Sequence, residues 1–138
     1  MSTRDSDLLA LRPIIPSARV NAQTSSEEQF QNETLRPVGK LQNDLLLEVF
    51  RNYISKHKNV FFTLTIEKRL GYIENAIQKD VKFRNSLKGI IIGQFTLAEY
   101  KEYVTNSSAL NKRMMNIVKE RLQSQIQLLE PNPSPHSN

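Results

Sequence analysis

Residues 86–100 read SLKGIIIGQFTLAEY, and three isoleucines stand between Gly89 and Gly93. This run is a buried strand, a phosphate-binding loop or the end of a helix, and the choice decides the fold. A phosphate loop needs two glycines separated by four residues, then lysine and a hydroxyl. Here three apolar residues separate the glycines and Gln94 follows. A parallel strand needs neighbours with similar apolar runs, which the chain does not offer. The helical reading fits better. Asp80 is a suitable N-cap, Phe83, Leu87 and Ile90/Ile91 share one face, and Gly93 is placed to close the helix in the left-handed conformation. Thr96 and Glu99 then form T-x-x-E, a capping box, with Phe95 and Tyr100 at the offsets of a hydrophobic staple. One helix therefore ends at the isoleucines, and the next starts at Thr96.

The same spacing of three and four recurs on both sides. Upstream, Ile66, Leu70, Ile73 and Ile77 make a stripe behind a Thr65 cap. Residues 57–63, HKNVFFT, are too isolated for a strand and read as a connector that plugs Phe61 and Phe62 into the core. Val38, Leu41, Leu45, Val49 and Tyr53 mark a long helix, which Leu46, Phe50 and Ile54 broaden into a central element. Pro37 starts that helix or kinks it away from a shorter one at 26–35. Downstream, Leu110, Met114, Ile117/Val118, Leu122, Ile126 and Leu129 predict a last helix from about Ser108 to Glu130, stopped by Pro131.

These elements predict an all-α fold, a small bundle of four to five helices. Residues 26–130 are its helical domain. Residues 1–25 read as an extended or disordered arm, in which Leu8, Leu9, Leu11, Ile14 and Ile15 form a short apolar segment able to dock on the domain or on a partner. Residues 131–138, PNPSPHSN, read as a disordered tail. At 138 residues the chain holds one core. It has no cysteine, which removes disulfides, thiolate metal sites and cysteine nucleophiles. The first residues do not make a signal peptide, and no apolar run reaches the roughly 18 residues of a membrane span. A soluble, cytoplasmic protein is the expectation.

Candidates for catalysis are few. His57 stands near a helix C-terminus, where the helix dipole alone accounts for a cation, and His136 lies in the tail. No H-x-x-x-H or E-x-x-H spacing suggests a metal. The carboxylate pairs Glu99/Glu102 and Glu67/Glu74 share helix faces but have lysines beside them. The reading is therefore of no catalytic residue, no metal and no cofactor.

Charge is more suggestive. The net charge is +5, and residues 64–138 hold eleven basic and seven acidic side chains, a net of +4. Lys79, Lys82, Arg84 and Lys88 crowd one predicted helix, and Lys112, Arg113, Lys119 and Arg121 crowd the last. If the two faces adjoin, they make a surface for nucleic acid or an acidic protein face, to which Asn85, Asn106, Asn111 and Asn116 add hydrogen bonds. The aromatics mostly fall at core-like positions, so no stacking platform is predicted.

Two resemblances accompany this reading. The stretch NDLLLEVFRNYISKHKNVFF…EKRLGYIENAIQKDVKFRNSLKGIIIGQFTLAEY…NSSALNKRMMN, within about residues 35–129, resembles short bacterial proteins that often carry the automatic label "glyoxalase". It implies a glyoxalase-like lyase as an alternative function. Locally, FRNSLKG…FTLAEY, with Arg84, Asn85, Leu87, Gly89, Thr96 and Glu99, is similar to part of the central helical domain of the eukaryotic elongation factor S-II, and implies a grip on a protein partner. The expectation that follows from the residues themselves is a non-catalytic binding or regulatory module with an acidic partner. A structural homo-oligomer, formed through surplus apolar surface on the broad first helix, is a further alternative.

Overall fold

A computed structural model describes residues 3–15 and 24–131. Every regular element among them is helical. The order is α1 (Thr3–Leu11), α2 (Ser26–Phe30), a π-helical turn (Gln31–Leu35), α3 (Arg36–Leu41), α4 (Asn43–Lys56), a 3₁₀ turn (Val60–Thr63), α5 (Ile66–Lys79), α6 (Val81–Ile92), α7 (Leu97–Val104), α8 (Ser107–Ser124) and a 3₁₀ turn (Ile126–Leu128). The all-α reading holds, but four to five helices is too few. The predicted long first helix is divided, and the arm contributes a helix of its own.

The division follows from Pro37. It lacks an N–H, and it sits where that costs least, in the first turn of α3, so it marks the start of that short helix. The π turn just before it absorbs the defect, with the Arg36 N–H reaching back five residues to the Gln31 carbonyl. The actual break comes at Gln42 (φ −89°, ψ 5°). That bend re-aims α4. Leu46, Leu47, Phe50 and Ile54 become its buried face, while Leu45, placed on the stripe by spacing, is 47% exposed.

The core gathers around Phe50, whose ring meets those of Tyr53, Phe61, Tyr72 and Phe83. The 3₁₀ turn does plug Phe61 into it, fully buried, with Phe62 packed partly beside. α8 runs through the middle of the bundle against α3, α4, α5, α6 and α7. Its Leu110, Met114, Ile117, Val118 and Leu122 are all buried, as their spacing requires. It ends at Ser124, short of the predicted Glu130, and Leu129 reaches the core from beyond the final 3₁₀ turn.

The caps form as the sequence indicates. Thr65 accepts from the Lys68 N–H, Asp80 from the Phe83 N–H, and Thr96 with Glu99 forms the complete capping box. Two details differ. Gly93 is right-handed (φ −59°, ψ −16°). Glycine is favoured there by close approach instead, since a Cβ would lie 3.0 Å from the Gly89 carbonyl oxygen. The staple partner of Phe95 is Tyr103, ring centroids 5.7 Å apart, because Phe95 turns inward to Phe30 while Tyr100 stays exposed.

The arm is the larger correction. Its residues Thr3–Leu11 form a helix that docks on the α6–α7 corner, and the docking is through polar groups. The carbonyls of Gly93, Gln94 and Phe95 accept from Arg4 Nη2 (3.0 Å), Arg12 Nη2 (2.8 Å) and Arg4 Nη1 (2.9 Å). Asp5 accepts from the Leu97 N–H, and Arg12 forms a bidentate pair with Glu99 at 2.5 and 2.6 Å. Leu11 and Ile14 are left 63% and 87% exposed, so the apolar segment is not what holds the arm. The reading of 132–138 as a disordered tail lies outside the described residues.

Candidate functional site

The basic residues singled out by sequence do not form one surface. Phe83, Leu87 and Ile91 turn into the core, so α6 presents its charges on two opposite flanks. Lys82 faces the joint between α5 and α6, where Lys79 also lies. Arg84 and Lys88, one turn apart, face α8. On α8, Arg113 turns to Gln31 (3.0 Å) and Glu27 (3.4 Å), and Lys119 stands 4.0 Å from Glu74. Arg121 packs over the backbone of Gly39 and donates to Asn43 (3.3 Å). Burial and the nearby Arg36 hold the Arg121 guanidinium below its ordinary pKa. Arg113 and Arg121 are thus used within the bundle, and Lys119 has a surface acid beside it.

What the fold does bring together is Arg84, Lys88 and Lys112, along a groove of about 500 Å³ between α6 and α8. Its floor includes the buried side chains Ile77 and Met115, and its rim carries Asn111 and Asn116. Among the described residues no carboxylate lines it. Arg84 is fixed by donating to the carbonyls of Gln78 (2.6 Å) and Ile77 (3.4 Å), which closes the C-terminal end of α5. Among the described residues neither Lys88 nor Lys112 has an acidic partner within ion-pair distance. The Tyr103 hydroxyl donates to Asn111 Oδ1 (2.6 Å) and so fixes that amide at the groove wall. The arrangement can hold an anionic group by charge while burying an apolar neighbour on the floor. Of the other asparagines, Asn106 donates to Glu27 (3.0 Å) and Asn85 stands exposed outside the groove.

The candidate acids and the histidine have other surroundings. Glu99 is turned inward: burial pushes its carboxyl up, but the Arg12 guanidinium, the Thr96 N–H and the Thr34 hydroxyl outweigh that and hold it below its usual range. His57 is exposed, with Nδ1 2.8 Å from the Tyr53 carbonyl. Among the described residues no three His, Asp or Glu side chains come together to hold a metal ion. His136 lies outside them. No described helix is long and apolar enough to cross a membrane.

No family model, curated protein or solved structure matches the chain. The glyoxalase and S-II resemblances thus rest on the residues quoted for them.

Two features of the molecule escaped the sequence reading. The clamp of Arg4 and Arg12 joins residues more than eighty positions apart, and no periodicity encodes such a pairing. The other is a cleft lined by Tyr53, His57 and Tyr72. A hint was present in the i, i+4 spacing of Tyr53 and His57, but the packing of α5 and α6 against α4 builds the rest.

Proposed function

We propose that this protein is a small non-catalytic binding module that takes an acidic segment of a partner protein in the groove between α6 and α8. The observation that carries the reading is the groove's make-up: three cations, an apolar floor and, among the described residues, no carboxylate. An acidic peptide with interspersed apolar residues matches both halves of that surface. A nucleic acid matches it less well, because affinity for a phosphate backbone grows with the number of phosphates neutralised. Only three of the eight basic residues converge here, and Arg84 already serves the end of α5.

The test is fluorescence anisotropy with a short labelled peptide in which Asp and Glu alternate with Leu. A Lys/Leu peptide and single- and double-stranded oligonucleotides run beside it. The acidic peptide is expected to bind, more weakly as salt rises, and about tenfold more weakly to the double variant K88E/K112E. Absence of acidic-peptide binding, or binding that the double variant leaves intact, overturns the reading. Oligonucleotide binding that is lost in K88E/K112E, without peptide binding, replaces it with a nucleic-acid function.

A further inference from the structure

On the flank of α6 opposite the groove, α4 ends beside the joint of α5 and α6. The last turn of α4 stacks His57 on Tyr53, ring centroids 4.1 Å apart and planes 27° from parallel. The helix closes immediately after this pair. Lys58 and Asn59 are both left-handed (φ 64° and 59°), and the Asn59 N–H returns to the Ile54 carbonyl (3.0 Å). Two consecutive non-glycine residues in that region are uncommon. The turn takes the chain away at once, so the imidazole stays exposed on top of the tyrosine.

Tyr53 is held from every other side. Its ring lies 4.1 Å from Phe83 and 6.3 Å from Tyr72, at 75° to the latter. Its hydroxyl donates to Asp80 Oδ2 (3.1 Å). Burial, with the Asp80 hydrogen bond and charge, pushes the Tyr53 phenol up to about 12, so it keeps its proton and remains the donor. The other Asp80 oxygen accepts from the Phe83 N–H (3.1 Å). The cap therefore fixes both the start of α6 and the tilt of the tyrosine.

Two hollows, of about 590 and 370 Å³, open on either side of the Tyr53–Asp80 bond and share His57 and Lys82. Lys79 borders the larger and Lys56 the smaller, and among the described residues Asp80 is the single carboxylate in either lining. A half-buried tyrosine under an exposed imidazole offers a preformed stack that a further ring can extend, and the lysines offer charge to whatever anion that ring carries.

We infer that this cleft is a second binding site, for a heteroaromatic ring bearing a phosphate, the chemistry shared by a free nucleotide and a unit of single-stranded nucleic acid. It stands apart from the peptide groove, since Lys82 and Arg84 lie on opposite sides of the buried Phe83. The ring stacks on the His57–Tyr53 pair and its phosphate meets Lys79 and Lys82.

The protein has four tyrosines and no tryptophan, so tyrosine emission reports directly on ring contacts. The full chain is titrated with AMP, UMP, ribose 5-phosphate and short oligo(dT) and oligo(rU), with calorimetry in parallel. Expected is binding of the nucleotides or the oligomers, with ribose 5-phosphate at least about tenfold weaker. His57→Ala and the double variant K79E/K82E, both at surface positions, each weaken binding by about tenfold or more, while K88E/K112E does not. Circular dichroism confirms that each variant is folded. Equal affinity for mononucleotide and oligomer assigns the free nucleotide; oligomer binding alone assigns a single strand. Either result supports the site. Failure of all probes at millimolar concentration, parity of ribose 5-phosphate with AMP, or indifference to both cleft variants overturns it. Loss on K88E/K112E in place of the cleft variants also overturns it, by moving the binding to the groove.

Discussion

The α6–α7 corner and the α6–α8 groove both collect basic side chains, and they use them in opposite ways. At the corner, the terminal guanidinium nitrogens of Arg4 and Arg12 are used from within, by three carbonyls and the Asp5 and Glu99 carboxylates, while Arg12 Nε is buried without a hydrogen-bond partner among the described residues. In the groove, Lys88 and Lys112 face an apolar floor with no acid beside them among the described residues. Cations paired internally are architecture, while cations gathered without partners form a surface that a partner can complete. A count of lysines and arginines along the chain does not separate the two.

Arg12 should show the largest effect. Its side chain is 7% exposed and that of Glu99 16%, so Arg12→Ala leaves a largely buried carboxylate with fewer partners. A loss of about 3 kcal/mol is expected, read as a lower urea midpoint. A midpoint that scarcely moves would show that the arm does not brace the corner.

Acid sharpens the same point. The folded Glu99 carboxyl lies below its ordinary 4.5. Its contribution is therefore fully present above that ordinary value and is lost as pH falls through it towards the lower folded value. Unfolding midpoints measured across that window should fall less steeply in Glu99→Gln than in the parent. Parallel curves would assign the acid sensitivity elsewhere.

Thr96→Ala is a smaller probe. It removes one half of the capping box and should cost about 1 kcal/mol, measurable by chemical denaturation. The groove gives the smallest effect on stability. K88E/K112E should shift the free energy of unfolding by no more than about 0.5 kcal/mol while abolishing most acidic-peptide binding. A large stability loss in that variant would place the groove lysines with the structural cations and erase the contrast.

Much of the fold was legible in the chain because it rests on local rules. Asp80, Thr65 and the Thr96–Glu99 box cap where their side chains lie within three residues of the N–H groups they serve. The α8 stripe is buried almost residue for residue, since a straight central helix turns a constant face inward. Reading failed where one local feature altered another. The π turn before Pro37 and the bend at Gln42 rotate α4, and Leu45 is exposed where an unbroken helix would bury it. For the site, charge density pointed to α6 and α8, but only Arg84, Lys88 and Lys112 of the eight named residues meet in the groove.

Local chemistry along the chain dictates that the described elements are helical, where most of them begin, and which side chains fill the centre, because caps and apolar spacing act within one or two turns. Tertiary packing alone decided that Thr3–Leu11 is pinned to the α6–α7 corner, that Lys112 is the α8 cation that meets Arg84 and Lys88, and that Tyr53, His57 and Tyr72 enclose a cleft. Those outcomes depend on the angles at which helices cross and on ion pairs between distant residues, and neither is written in any short stretch of sequence.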